Sequence, residues 1–208
     1  MAITTKDLAQ LCGVSRTTIH RALNGTGRIK PETKEMILQV AKEHGYRPDL
    51  LATGLAKGQT YNIGVVVLDV KNRYFAQMLS MISTEAYARG YGVNITLHGG
   101  DAGTEREQLT RLADYRVDGI ILSSVNEGEA YRTFLESLHR PIVSVDNRIA
   151  DGIPFVGIDQ RAAVREAVQR AAEKDYERIV FVCPPLDTKN RQNLYVHKER
   201  LLGYEEEM

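Results

Sequence analysis

The chain has 208 residues, 43% hydrophobic and 26% charged, with 27 Lys and Arg against 27 Asp and Glu, a profile that fits a soluble globular protein and excludes a disordered one. Cys12 and Cys183 are too few for a disulfide framework and lack zinc-ligand spacing, and no apolar run approaches the ~20 residues of a membrane span. The first residues read without a signal-peptide core, so a cytoplasmic protein with no metal and no cofactor is expected.

The zero net charge hides an asymmetry. Residues 1–60 hold nine bases (Lys6, Arg16, Arg21, Arg28, Lys30, Lys34, Lys42, Arg47, Lys57) and five acids (Asp7, Glu32, Glu35, Glu43, Asp49), a net of +4 that leaves −4 on the remainder. A basic head on an acidic body suggests that the head meets a polyanion. A merely solvated charged face has the same signature.

In chain order, the first 45 residues predict three short helices. Thr4 or Thr5 can cap the first, with Leu8 and Leu11 on one face. Gly13 interrupts, and Ser15 is a ready N-cap for a second helix ending near Leu23, before Asn24-Gly25. Pro31 suits the first turn of a third helix carrying Ile37, Val40 and Ala41, and Gly45 supplies its stop. From Asp7 to Asn24 the pattern fits a helix-turn-helix: Ala9 is small where two helices cross, Gly13 permits a tight turn, and Val14, Ile19 and Leu23 face inward. Arg16, Thr17, His20 and Arg21 then point outward near the start of the second helix, where a major-groove reader needs them. A three-helix bundle with a charged surface would read the same way. Next, Arg47 to Gly58 forms at most a helix of about two turns, too short to be stable alone, and Gly54 weakens it by roughly 1 kcal/mol relative to Ala.

From Asn62 the rhythm changes to apolar runs at Ile63–Leu68, Val93–Leu97, Gly119–Leu122, Ile142–Val145, Phe155–Ile158 and Ile179–Val182. They alternate with candidate helices near 75–89, 104–115, 127–138 and 161–174. Strands alternating with helices predict a parallel α/β sheet with right-handed crossovers, and its ligands are expected beyond the carboxyl ends of the strands. No catalytic motif is found: there is no Gly-x-Ser-x-Gly elbow, phosphate-binding loop or His-Glu-x-x-His, and His20, His44, His98, His139 and His197 are scattered. An enzyme is therefore not expected.

The chain resembles the lactose-repressor/galactose-repressor (LacI/GalR) family of bacterial transcription regulators. The residues that carry the likeness are Lys6-Asp7-Leu8-Ala9, Gly13-Val14-Ser15, Thr18-Ile19, Arg21-Ala22-Leu23-Asn24-Gly25, Gly45-Tyr46-Arg47-Pro48, and Ala52 three residues before Leu55. It continues through Ile63-Gly64-Val65-Val66-Val67, Val117-Asp118-Gly119-Ile120-Ile121-Leu122, Pro141-Ile142-Val143, Val145-Asp146 and Val156-Gly157-Ile158-Asp159, and so covers essentially the whole chain.

This resemblance implies an all-α helix-turn-helix head and an α/β core like that of a periplasmic binding protein. Four parts are expected: a DNA-binding head over 1–46, a hinge helix or linker over 47–60, the first lobe of an effector-binding core over 61–160, and part of a second lobe over 161–208. It implies that Arg16, Thr17 and Arg21 read bases in duplex operator DNA, with His20 on the same face in place of the small hydroxyl residue common there. Thr4, Ser15, Thr18, Asn24 and Arg28 would position the head through phosphate or nearby groove contacts. Leu55 would be a minor-groove wedge. The chain departs from the family pattern at Lys30, which replaces a capping Ser, and at Asp49 and Thr53 beside the hinge.

For the core, the resemblance implies effector contacts at Asp69, Asn72, Tyr74 and Phe75, at Ser123 and Ser124, at Asp146 and Arg148, and at Arg200. The expected ligand is a sugar or related metabolite, and the expected assembly is a homodimer on a near-palindromic operator, away from any membrane. In the family the chain continues beyond the point matching Met208, so the second lobe is expected to be incomplete. Two other readings stay open: a truncated DNA-binding form without effector response, and a small-molecule-binding protein of the periplasmic type.

Overall fold

The computed structural model describes residues 3–47, 54, 58–174, 176, 178–186 and 192–208. They fall in two compact units, Met1–Ala56 and Lys57–Met208.

The first unit has three helices, α1 (Thr5–Leu11), α2 (Arg16–Asn24) and α3 (Pro31–Glu43). Local polar chemistry sets their ends. Thr4 and Asp7 form a reciprocal capping box at α1, in which the Thr4 amide donates to Asp7 Oδ2 at 2.9 Å and the Asp7 amide donates to Thr4 Oγ1 at 3.3 Å. The chain then reverses at Gly13, φ +63°, and the Val14 amide donates to the Ala9 carbonyl at 3.0 Å. That left-handed turn is open to glycine at no steric cost. Pro31 opens α3, but Lys30, its N-cap, gives no side-chain hydrogen bond. Leu8, Ile19, Ala22, Ile37 and Ala41, one or two from each helix, close into a single core. Of the expected linker, residues 48–53 and 55–57, including Asp49, Thr53 and Leu55, lie outside the described residues.

The second unit is built on a five-stranded parallel sheet: β1 (Asn62–Val67), β2 (Gly92–Leu97), β3 (Gly119–Leu122), β4 (Ile142–Val145) and β5 (Phe155–Val156), in the order β2-β1-β3-β4-β5. The crossovers are α4 (Arg73–Ala88), α5 (Ala102–Asp114) and α6 (Glu129–Ser137), and α7 (Gln160–Ala172) follows the last strand. Both faces of β1 are covered, which is why its run shows no polar alternation. Val65 and Val67 pack with Phe75 and Leu79 of α4. Val66 on the other face joins Leu109 and Leu112 of α5 and Tyr131 and Leu135 of α6.

Two strand expectations need correction. β5 stops at Val156 rather than Ile158, because its partner β4 ends at Val145, where Asp146 turns to φ +66° and the ladder has no further rungs. Ile179–Val182 is not a strand at all. A strand needs a ladder partner, and this segment pairs with none of the five; Val180 and Val182 are 80% and 87% exposed. It lies instead along the last helix, α8 (Tyr195–Glu207), where Tyr204 Oη donates to the Ile179 carbonyl at 2.8 Å and its ring stacks on Phe181.

α8 packs closely on α7 because Gly203 has no side chain: a Cβ there would sit 2.4 Å from the Arg161 carbonyl oxygen. Arg161–Glu206 and Arg165–Glu207 ion pairs flank the crossing. Among the described residues, no helix is long and apolar enough to cross a membrane.

Candidate functional site

The head presents one polar face built around α2. Ser15 caps the helix: its Oγ accepts from the Thr18 amide at 3.2 Å and lies 2.9 Å from Thr18 Oγ1. Gly25, φ +65°, ends it. Ile19 and Ala22 are buried, so the helical period turns Arg16, Thr17, His20 and Arg21 to solvent. Asn24 donates from Nδ2 to the His20 carbonyl at 2.9 Å. Thr4, Ser15 and Arg28 are also exposed, while Thr18 is half-buried beneath Ser15. The face therefore carries two guanidinium groups and two hydroxyls on a helix whose two ends are fixed. Such a group suits bidentate bonding to base edges and contact with phosphate.

The second unit has a cleft of about 420 Å³ at the carboxyl ends of its strands. Asn72, Tyr74, Phe75, Ser123, Ser124, Asp146 and Arg200, drawn from four separate stretches of sequence, all line it. Asn72 caps α4, accepting from the Tyr74 amide at 2.9 Å. Asp69 and Arg148, expected with them, do not line the cleft. The Asp69 carboxylate is turned onto the Lys71 and Asn72 amides, at 2.9 and 3.0 Å, and so shapes the turn that aims Asn72. Arg148 is drawn outward over the Phe155 ring, 5.5 Å from its centroid.

Charge is concentrated at one end of the cleft. The Tyr74 hydroxyl pairs with the Asp146 carboxylate, and both groups are raised from their ordinary pKa values, chiefly by burial. Tyr74 and the nearby Arg200 and His197 only partly offset the cost of charging Asp146. His197 is lowered by burial and by the Arg200 charge. Gln160 Oε1 accepts from Arg200 Nε at 2.8 Å, which orients the guanidinium. Asp146 holds a left-handed backbone, the kind of strained position that clusters at ligand sites and that Asp and Asn tolerate best. Beside Tyr74 and the Phe75 ring, the arrangement offers a carboxylate, a guanidinium and amide groups around an aromatic wall. That combination fits a polyhydroxy ligand with an apolar face.

Sequence reasoning missed several groups of this cleft. His98 is buried, and its ring lies between the Ser123 carbonyl, 3.0 Å from Nε2, and the Gly100 amide, which donates to Nδ1 at 3.1 Å. Nδ1 must then be the acceptor, so the proton sits on Nε2. Asn147, Gln160, Gln192, Asn193 and His197 also line the wall. One available signal was the position of His98-Gly99-Gly100 directly after β2, the same carboxyl-end rule that singled out Ser123 and Asp146.

Two family models cover nearly all of the chain. "Bacterial regulatory proteins, lacI family" matches residues 4–49, and "Periplasmic binding proteins and sugar binding domain of LacI family" matches residues 60–207. Catabolite control protein A of Staphylococcus xylosus is 30% identical over the whole chain, which spans 64% of that relative's length. The protein of that name in Streptococcus mutans is 34% identical over 98% of the chain and 60% of its own length. The HTH-type transcriptional regulator PtxS of Pseudomonas putida is 31% identical over 89% of the chain and 55% of its length. The first two of these are named as control proteins and the third as a transcriptional regulator.

Among solved structures, a lac repressor dimer bound to operator and an anti-inducer shares the fold, with a TM-score of 0.86 at 20% identity over 100% of this chain and 62% of that one. A transcriptional regulator CelR–cellobiose complex aligns with a TM-score of 0.59 at 26% identity over 99% of this chain and 61% of that one. The chain thus spans less than two thirds of these proteins. The motifs of the head, the order of the sheet and the two matched models converge, and the chain belongs to the LacI family of bacterial regulatory proteins.

Proposed function

We propose that this chain is a transcriptional regulator of the repressor type, binding operator DNA in the cytoplasm as a homodimer and responding to a sugar or related metabolite. The observation that carries the reading is the exposed Arg16, Thr17, His20 and Arg21 face on a helix capped by Ser15 and held by the Gly13 turn. Arg16, Thr17 and Arg21 read base edges in the major groove. Thr4, Ser15, Thr18, Asn24 and Arg28 position the head on the backbone, and Leu55 enters the minor groove. The net +4 of residues 1–60 supplies the phosphate attraction.

In the cleft, Asp146 and Arg200 take ligand hydroxyls, and Tyr74, Phe75, Asn72, Ser123 and Ser124 line the space beside them. A ligand there and DNA at the head affect each other's affinity by the same factor. The chain acts by binding and needs no catalytic group or cofactor. Residues 161–208 are read as the start of a second lobe. Val180 and Val182, exposed on a segment that joins no strand, favour a second reading, in which the chain occupies operators without sensing a ligand.

A titration of duplex DNA from upstream of its own gene, at low and physiological salt and with and without a panel of sugars, tests the reading. Tight, salt-steep binding that a sugar shifts is expected. Binding that is unaffected by salt would overturn the DNA assignment, and binding that no sugar shifts would favour the second reading.

A further inference from the structure

Glu105, in the first turns of α5, is the only acidic residue buried among the described residues, with no exposed surface. Its carboxylate faces four donor groups, one of them the Ser124 hydroxyl, whose single proton is shared with the Asn126 carbonyl at 2.8 Å. Ser124 Oγ lies at 2.7 Å, Asn126 Nδ2 at 2.8 Å and Tyr131 Oη at 2.5 Å, all on Oε1, and the Val125 amide donates to Oε2 at 2.8 Å. His98 Nε2 is 3.8 Å away, its proton directed to the Ser123 carbonyl. The Asn126 and Val125 N–H groups can only donate, one to each oxygen, so the site requires an acceptor on both oxygens. A carboxylate meets that demand, whereas an isosteric amide turns its own N–H groups against the N–H groups of Asn126 or Val125. Burial and the Glu105 charge together raise the Tyr131 phenol from its ordinary value, keeping it a donor at neutral pH.

What the carboxylate holds is the turn from Ser123 to Asn126, and that turn carries the far wall of the cleft. The Asn193 amide donates to the Val125 carbonyl at 2.7 Å, and Asn193 Nδ2 donates to the carbonyls of Asn126 at 3.3 Å and Arg148 at 2.8 Å. Asn193 Oδ1 in turn accepts from the Tyr195 amide at 3.1 Å, where α8 begins. Two further groups of the cleft, His197 and Arg200, lie on the next turns of that helix.

We infer that Glu105 is a positioning residue of the cleft: its buried carboxylate fixes the 123–126 turn as the mount on which Asn193 hangs the 192–200 segment, and so sets Arg200 and His197 against Asp146. The consequence for ligand binding rests on the effector reading above. The positioning itself does not.

Hydrogen–deuterium exchange on the ligand-free full chain separates the two. Glu105→Gln is expected to speed exchange by about tenfold or more both in 123–126 and in 192–200, while Val65–Val67 stays as protected as in the wild type. Tyr131→Phe, which leaves the carboxylate and three donors in place, is expected to leave 192–200 within about twofold of wild type. An effect of Glu105→Gln confined to α5 and α6, with 192–200 unchanged, would overturn the inference.

If Glu105→Gln does not fold, Asn193→Ala decides. Faster exchange at 195–200 with 123–126 still protected supports a mount held from beneath by Glu105. Equal loosening of 123–126 contradicts it. Because no ligand is present, a negative result leaves the effector reading standing, and a chain that binds no sugar leaves this result unaffected.

Discussion

The head and the cleft solve the problem of placing functional side chains in opposite ways. In the head, each placement is local: Ser15 to Thr18, Thr4 to Asp7 and Gly13 between two short helices all act within a few residues. The face they build is exposed, and its polar groups are free to meet a partner. In the cleft, placement is long-range: Arg200 is oriented by Gln160, 40 residues away, and Asn193 is tied to Asn126, 67 residues away. Its polar groups range from exposed, as at Asn72 and Tyr74, to buried, as at His98, Ser123 and Ser124, and several are bonded to one another. Local sites are set by helix propensity and caps, whereas assembled sites are set by topology and so inherit every change in packing.

The sharpest way to break this comparison is through the head's core. Ile37 has no exposed surface and joins all three helices in one small cluster. Ile37→Ala is expected to destabilise the head by about 2–5 kcal/mol, abolishing DNA binding while the body's melting transition stays where it was. Calorimetry on the full chain checks this, and a coincident loss of both transitions would mean that the two units do not fold independently. A gentler test is the cap: Ser15→Ala should cost the head about 1 kcal/mol, readable as a lower head transition with α3 unaffected.

The smallest expected effect belongs to the cleft. Burial raises the Asp146 carboxyl above its ordinary value, so its charge costs stability once pH has risen through that raised value. Below the ordinary carboxylate range the group is protonated in both folded and unfolded chains, and the cost is absent. Asp146→Asn, which also tolerates the left-handed backbone, should therefore raise the body's melting temperature slightly at neutral pH. The gain should vanish at about pH 3, as thermal melts at the two pH values would show. A variant less stable than wild type at neutral pH would mean that the Arg200 and Tyr74 pairing outweighs burial.

The same contrast explains what could be read from sequence. The three helices of the head, their caps and the outward residues of α2 follow from spacing alone, because the relevant interactions span three or four positions. The alternation of the first five strands with their crossover helices was equally plain, whereas α8 was not among the expected helices. Ile179–Val182 misled because an apolar β-branched run specifies strand propensity but not a ladder partner. Asp69 and Arg148 are held by local contacts outside the cleft lining, which position near a strand end does not reveal. Glu105 was hidden in the run Thr104-Glu105-Arg106-Glu107, which reads as a solvated helix face. Its spacing from Leu109 and Leu112 places it on the buried stripe of α5, and that was the signal available.

The most direct measurement selects duplexes from a random pool with the wild-type chain and with a variant carrying Arg16→Ala and Thr17→Ala. Wild type should enrich a defined near-palindromic site. The variant should lose preference at a few neighbouring base pairs in each half, about 1–3 kcal/mol for each bidentate contact removed. The same sites enriched with the same ranking by both proteins would contradict the claim that α2 reads DNA.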